Sequence, residues 1–182
     1  MSNSRTRRAA AAARQERIEA KEASVVRQAG GRPRFVADVM LGRLAKWLRI
    51  AGFDAAYSNT FSDDALLEIS NREGRVLLSR DTRLLIRKPA REFLFIRSPD
   101  LEAQLGQVFD ALRIESLDAV LTRCLSCNEA LVEAPRESVR GRVPDFVYRT
   151  QPCFRVCPGC RKVFWAGTHR EAVVRKLETL LP

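Results

Sequence analysis

Phe35-Val-Ala-Asp-Val39, followed by Leu41 to Ala51 and the closing Gly52, is the stretch on which the fold turns. The first part is a short apolar run broken by one carboxylate, Asp38. The second places Leu41, Leu44, Ala45, Leu48 and Ala51 on one helical face, with Arg43, Lys46 and Arg49 largely away from it. The reading is strand, helix, glycine stop. Downstream come a weak strand at Asp54 to Ser58, a helix from Asp63 to Glu73 ended by Gly74, and the apolar strand Arg75 to Ser79. Glu92 to Arg97 supplies another strand and Leu101 to Leu112 another helix. Strands alternating with helices predict an α/β fold, with a parallel sheet covered by helices on its faces.

In such sheets functional groups gather outside the carboxyl ends of the strands. Asp38 ends the first strand, Asp63 and Asp64 open the second helix, and Asp81 follows the third strand. Clustered carboxylates raise each other's pKa unless a cation compensates, and a divalent ion with hard oxygen ligands is the usual compensation. Mg²⁺ or Mn²⁺ held there would activate a water against a phosphodiester. Each acid also has a plainer reading. Asp63 or Asp64 suits a helix N-terminus, and Asp81 suits a turn. Asp38 is the hardest to explain away, because a charge in an apolar strand needs a partner or an ion.

A second pattern lies in the last third of the chain. Cys124-Leu-Ser-Cys127 and Cys157-Pro-Gly-Cys160 are separated by twenty-nine residues, the spacing of a four-thiolate zinc site. Disulfides or a thioredoxin-like redox pair are the alternatives. They suit the chain less well, since its first residues lack the apolar core of a signal peptide and five cysteines is an odd count. Four thiolates leave no open coordination position, so zinc here is expected to be structural. Cys153 is expected to be a buried or idle thiol.

No apolar run approaches a membrane span, so a soluble, cytoplasmic protein is expected. Of the net charge of +10, the first 34 residues hold nine Lys/Arg against three Glu, leaving +4 for the rest. Residues 1 to 34 therefore read as a basic tail, mostly disordered or transiently helical around Ala9 to Ala29, with nonspecific affinity for phosphates. An organellar targeting peptide is a third reading of its first fifteen residues.

The string Phe35-Val-Ala-Asp38-Val-Met-Leu-Gly42-Arg-Leu-Ala-Lys46-Trp47-Leu-Arg49, with Gly52-Phe53-Asp54, Ser62-Asp63-Asp64 and Gly74-Arg75-Val-Leu-Leu-Ser-Arg80-Asp81, resembles the Mut-seven C-terminal RNase-like domain family. The resemblance continues through Arg123-Cys124-Leu-Ser-Cys127-Asn128 and Phe154-Arg-Val-Cys157-Pro-Gly-Cys160 to His169. It implies a PIN-like three-layer parallel sheet at residues 35–118 and a small zinc ribbon with a C-terminal helix at residues 119–182. It also implies a metal-dependent ribonuclease site in which Asp38, Asp63 and Asp81 hold Mg²⁺ or Mn²⁺, with Asp64 as substitute or helper. Where PIN-type nucleases often carry a further acid, two residues after the third-strand aspartate, this chain has Arg83.

The expected partner is RNA. Arg43, Lys46 and Arg80 lie near the acids in chain order and are candidates for gripping its backbone. Between the cysteine pairs, Val132 to Tyr148 mixes arginines with Phe146 and Tyr148, a combination suited to single strands, or else a short hairpin packed beneath the zinc. Phe146 and Phe164 are expected to pack, and Tyr148 is left open. Trp165 and the single histidine, His169, are further RNA candidates. His169 could equally be a helix-start residue, ahead of a final helix from Arg170 to Leu181. The competing function is a nucleic-acid-binding protein whose acidic cluster is structural. Oligomeric state is not legible.

Overall fold

The computed structural model describes residues 12–13, 32–87, 90–167 and 170–182. Apart from residues 12–13, the expected N-terminal helix lies outside these residues, as does His169. The chain builds β1 (Arg34–Ala37), α1 (Gly42–Ile50), β2 (Asp54–Tyr57), α2 (Asp63–Glu73) and β3 (Val76–Ser79). It continues through α3 (Thr82–Arg87), β4 (Phe93–Phe95) and α4 (Leu101–Ala111). The four strands form one parallel sheet in the order β2-β1-β3-β4.

Because successive residues of a strand face opposite sides, the apolar runs serve two cores at once. Phe35, Ala37, Val76, Leu78 and Leu94 pack with Leu44, Leu48, Leu105 and Phe109 of α1 and α4. Val36, Leu77 and Phe93 pack on the other face with Leu66 and Leu67 of α2 and Leu84 of α3. The result is the expected three layers. Boundaries differ by one or two residues, and α3 is an element that the pattern of the sequence did not suggest. One boundary matters for chemistry: β1 stops at Ala37, so Asp38 sits just past the strand and caps a 3-10 turn over Val39–Leu41.

The second sheet is antiparallel, in the order β5-β6-β7, from β5 (Val132–Ala134), β6 (Phe154–Val156) and β7 (Val163–Trp165). Instead of a bare hairpin, a 3-10 turn (Arg136–Val139) and the short helix α5 (Asp145–Thr150) fill the span between β5 and β6. Val139, Val143 and Phe154 form their small core. Tyr148 packs there, stacked on Phe154 at 6.5 Å between centroids. Phe146 does not pack as expected: it is 72% exposed, because the one-and-a-half turns of α5 present only Val147 and Tyr148 inward. The final helix, α6 (Arg170–Glu178), returns to the first sheet and buries Leu177 in its larger core.

Candidate functional site

The sheet order makes β1 the point at which the chain reverses direction across the sheet, with β2 on one side and β3 on the other. Ligands of open α/β sheets bind outside the carboxyl ends of the strands at such a point. Asp38 and Asp81 stand there, directly beyond β1 and β3. Asp38 is only 6% exposed; its Oδ1 accepts from the Val39 amide at 2.6 Å and its Oδ2 from the Ser79 hydroxyl at 2.6 Å. Ser79 Oγ in turn accepts from the Asp81 amide at 2.9 Å, and Asp81 Oδ1 accepts from the Arg83 amide at 2.7 Å. Ser79, fully buried at the end of β3, thus ties the two acids into one network. A serine closing an apolar run reads simply as a strand end, so nothing in the sequence marked it.

Each Asp38 oxygen keeps a lone-pair site beyond its one protein donor, so the carboxylate can still accept a hard cation. Asp63 and Asp64 are exposed in the first turn of α2, and the cap of that helix is Ser62, whose Oγ accepts from the Ala65 amide at 3.2 Å. Neither aspartate is therefore used as the cap. Among the described residues the three acids Asp38, Asp63 and Asp81 do not form a group at mutual ligating distance; the four cysteines do. Arg43, Lys46 and Arg80 are all exposed. Tyr57, at the end of β2, donates its hydroxyl to Val39 O at 3.0 Å, lying where a Cβ on Gly42 would stand, 2.6 Å from that position.

Arg49 is the clearest departure from the helical pattern. It is buried, not turned to solvent, because the first cysteine loop packs over it. Its Nε donates to Ala55 O at 2.9 Å and its Nη1 to Leu125 O and Ser126 O at 3.1 and 3.2 Å. Burial pulls its pKa down, against the nearby Cys124 and Cys127 sulfurs, which raise it.

The two cysteine loops share one geometry. Asn128 and Arg161, each directly after the second cysteine, have φ of 70° and 60° and return their amides to Cys124 O and Cys157 O at 3.0 and 2.9 Å. The four sulfurs lie within 4.8 Å of one another, with Cys124–Cys160 at 3.5 Å and Cys127–Cys157 at 3.2 Å. All four are free thiols, which sets aside the disulfide reading. A tetrahedral Zn–S distance of about 2.3 Å gives sulfur separations of about 3.8 Å. The four cysteines are positioned to bind a zinc-like metal. Burial raises the Cys124 thiol, but backbone N–H groups of Cys127 and Ser126 and the neighbouring thiols bring it down to about 7. At Cys127 the Glu129 amide favours the thiolate, yet sharing a proton with Cys157 pushes it up to about 12. Four adjacent thiols cannot all ionise without a cation, which is the charge that a metal supplies.

A family model described as the Mut7-C RNAse domain matches residues 33–177. The chain belongs to this family. No curated protein and no solved structure matches the chain. The match spans both sheets and both sets of candidate ligands, so the Mut7-C assignment covers the acids and the cysteines together. Among the described residues no helix is long and apolar enough to cross a membrane. Trp165, the last residue of β7, is 39% exposed, whereas Tyr148 is held by Phe154 and by the Arg136 guanidinium, 5.4 Å from its ring.

Proposed function

We propose that the protein is a divalent-metal-dependent ribonuclease, residues 35–118 carrying the chemistry and residues 119–182 a zinc-held ribbon. The observation that carries this reading is Asp38: a nearly buried carboxylate at the reversal point of a parallel sheet, held in place by Ser79, in a chain of an RNase-domain family. Mg²⁺ or Mn²⁺ bound there supplies a polarised water and charge stabilisation at phosphorus. Asp38 and Asp81 would hold the ion, with Asp63 and Asp64 at the start of α2 as the further acids. Arg43, Lys46 and Arg80 offer exposed cations to an RNA backbone. The zinc ligands take no part in hydrolysis. Cytoplasmic action on RNA, in which the basic tail adds nonspecific contacts, completes the reading.

The spread of the acids favours a specific competitor, a nucleic-acid-binding protein in which Asp38 is structural. One substitution separates the two. Asp38→Asn is expected to abolish Mg²⁺- or Mn²⁺-dependent cleavage of an RNA pool while leaving RNA affinity within about twofold, as followed by gel and by anisotropy. Equal cleavage by the variant, or no cleavage by the unaltered protein with either ion, sinks the nuclease reading.

A further inference from the structure

The ribbon sheet has two faces, and only one of them is used by its own core. Ala134, Phe154, Val156 and Val163 turn toward Val139 and Val143. On the other face the register lines up Glu133, Arg155 and Phe164 across β5, β6 and β7. Over this row passes the connecting segment of residues 118–125, tethered by Arg155 Nη1 donating to Leu121 O at 3.4 Å. The two do not close. Between them lies a cavity of about 490 Å³, in the size range of small-molecule sites.

Its lining has a definite chemistry. Val120, Leu121, Leu125 and Phe164 give it apolar surface, the Phe164 ring among them, whereas Trp165 shares the register row of Phe154 and turns to the other face. Arg123, Arg136, Arg155 and Arg170 outnumber Asp118 and Glu133, so the cleft carries two excess positive charges. Arg136 is committed to Tyr148 O and Gln151 O, and Arg123 to Asn128 O and the Asp54 carboxylate. Arg155 gives one long Nη1 bond to Leu121 O and has further guanidinium N–H groups, so with the exposed Arg170 it is placed to meet a ligand. An apolar slot with an aromatic ring and guanidinium groups fits a planar base joined to a phosphate. A purely apolar peptide would leave the arginines without partners, and a bare anion would leave the aromatic wall idle.

We propose that this cleft holds one unpaired nucleotide of a single-stranded RNA, its base against Phe164 and its phosphate on Arg155 and Arg170. The inference rests on the RNA reading above but not on cleavage. It makes the ribbon a substrate clamp, separate from the acids at the first sheet. Cys153, an exposed thiol in the cleft lining, reports on occupancy.

The full chain, zinc-loaded and without added Mg²⁺ or Mn²⁺, is titrated with a 5′-phosphorylated six-nucleotide RNA of mixed sequence and with a mononucleotide. Saturating hexamer is expected to slow alkylation of Cys153 by iodoacetamide at least about fivefold. Arg155→Gln and Phe164→Ala are each expected to weaken hexamer binding about tenfold, as one phosphate contact or one stacked base would, while Phe164→Tyr keeps most of the affinity. Hexamer binding that leaves Cys153 alkylation unchanged overturns the proposal, whether or not the variants fold. So does a mononucleotide that binds as tightly as the hexamer. Loss of metal-dependent cleavage with Cys153 protection intact removes the nuclease reading and leaves the cleft; an unchanged KM for cleavage in Arg155→Gln removes the cleft and leaves the nuclease. Absence of any RNA binding removes both.

Discussion

Asp54 shows how one side chain joins the two halves of the chain. At the start of β2 its carboxylate accepts from Arg75 Nη1 at 2.5 Å, from Arg75 Nη2 at 3.2 Å and from Asn128 Nδ2 at 2.6 Å, with Arg123 at 3.8 Å. Burial pushes its pKa up, but the bonds from Arg75 and Asn128 and the nearby cations outweigh burial and hold it below its usual value of 3.8. A carboxylate with a depressed folded pKa contributes stability that is complete above the unfolded value and lost as pH falls through the folded one. Asp54→Asn, neutral at every pH, is therefore expected to be less stable than the unaltered protein by about 3 kcal/mol at neutral pH, since it leaves Arg75 buried without its main anion. The gap should close as the pH drops below about 4. Guanidinium unfolding midpoints of the two proteins across pH 7 to 3 measure it; acid releases metal from both alike, so their difference isolates the carboxylate. A gap that stays constant with pH contradicts this account.

The elements depend on a few backbone positions where a side chain cannot fit. Gly52 ends α1 with φ of +89°, and a Cβ there would stand 1.9 Å from Ala119 O, a backbone atom of the connecting segment that is itself held by Leu121 N donating to Ile50 O at 2.7 Å. Gly74 ends α2 with φ of +59°, but nothing lies within 4 Å of the place where its Cβ would stand. Gly74→Ala is expected to cost about 1 kcal/mol, the left-handed penalty alone. Gly52→Ala is expected to cost about 3 kcal/mol or more, because the connecting segment must also move. Thermal unfolding of the two variants tests this, and equal losses would mean that the segment is not tightly seated. Both glycines, and the helices that they end, were legible in the sequence because the apolar periodicity and the stop signal agree there. The acids were legible as positions, since each follows a strand or opens a helix. Arg49 was not: its place on α1 says solvent, and only a loop 76 residues further along the chain, where Leu125 accepts its bond, makes it interior. Ser79 and the row Glu133, Arg155 and Phe164 escaped for the same reason, since hydrogen-bond partners and cross-strand register join residues that no local pattern connects.

At the scale of the molecule, the cysteine cluster and the parallel sheet meet at one strand. β2 is the edge of the parallel sheet, where unpaired N–H and C=O groups would invite another chain. The first cysteine loop covers that edge: the Ala55 amide donates to Asn128 Oδ1 at 3.0 Å, and Ala55 O accepts from Arg49, which also holds the carbonyls of Leu125 and Ser126. Asn128 does this from the left-handed conformation that closes the Cys124–Cys127 turn, a conformation that a metal drawing the sulfurs together would stabilise. Stripping zinc with a chelator should therefore act on the sheet as well as on the ribbon. About one zinc per chain is expected to be released. Hydrogen exchange at the Ala55 amide should then accelerate by at least about tenfold, while the Asp38 amide, bonded to Leu78 O at 3.0 Å inside the sheet, keeps its protection. Asn128→Ala should reproduce fast exchange at Ala55 with zinc still bound. Slow exchange at Ala55 after complete removal of zinc would show that the edge is held without the metal, and would reduce the cysteine cluster to a clasp for the ribbon alone.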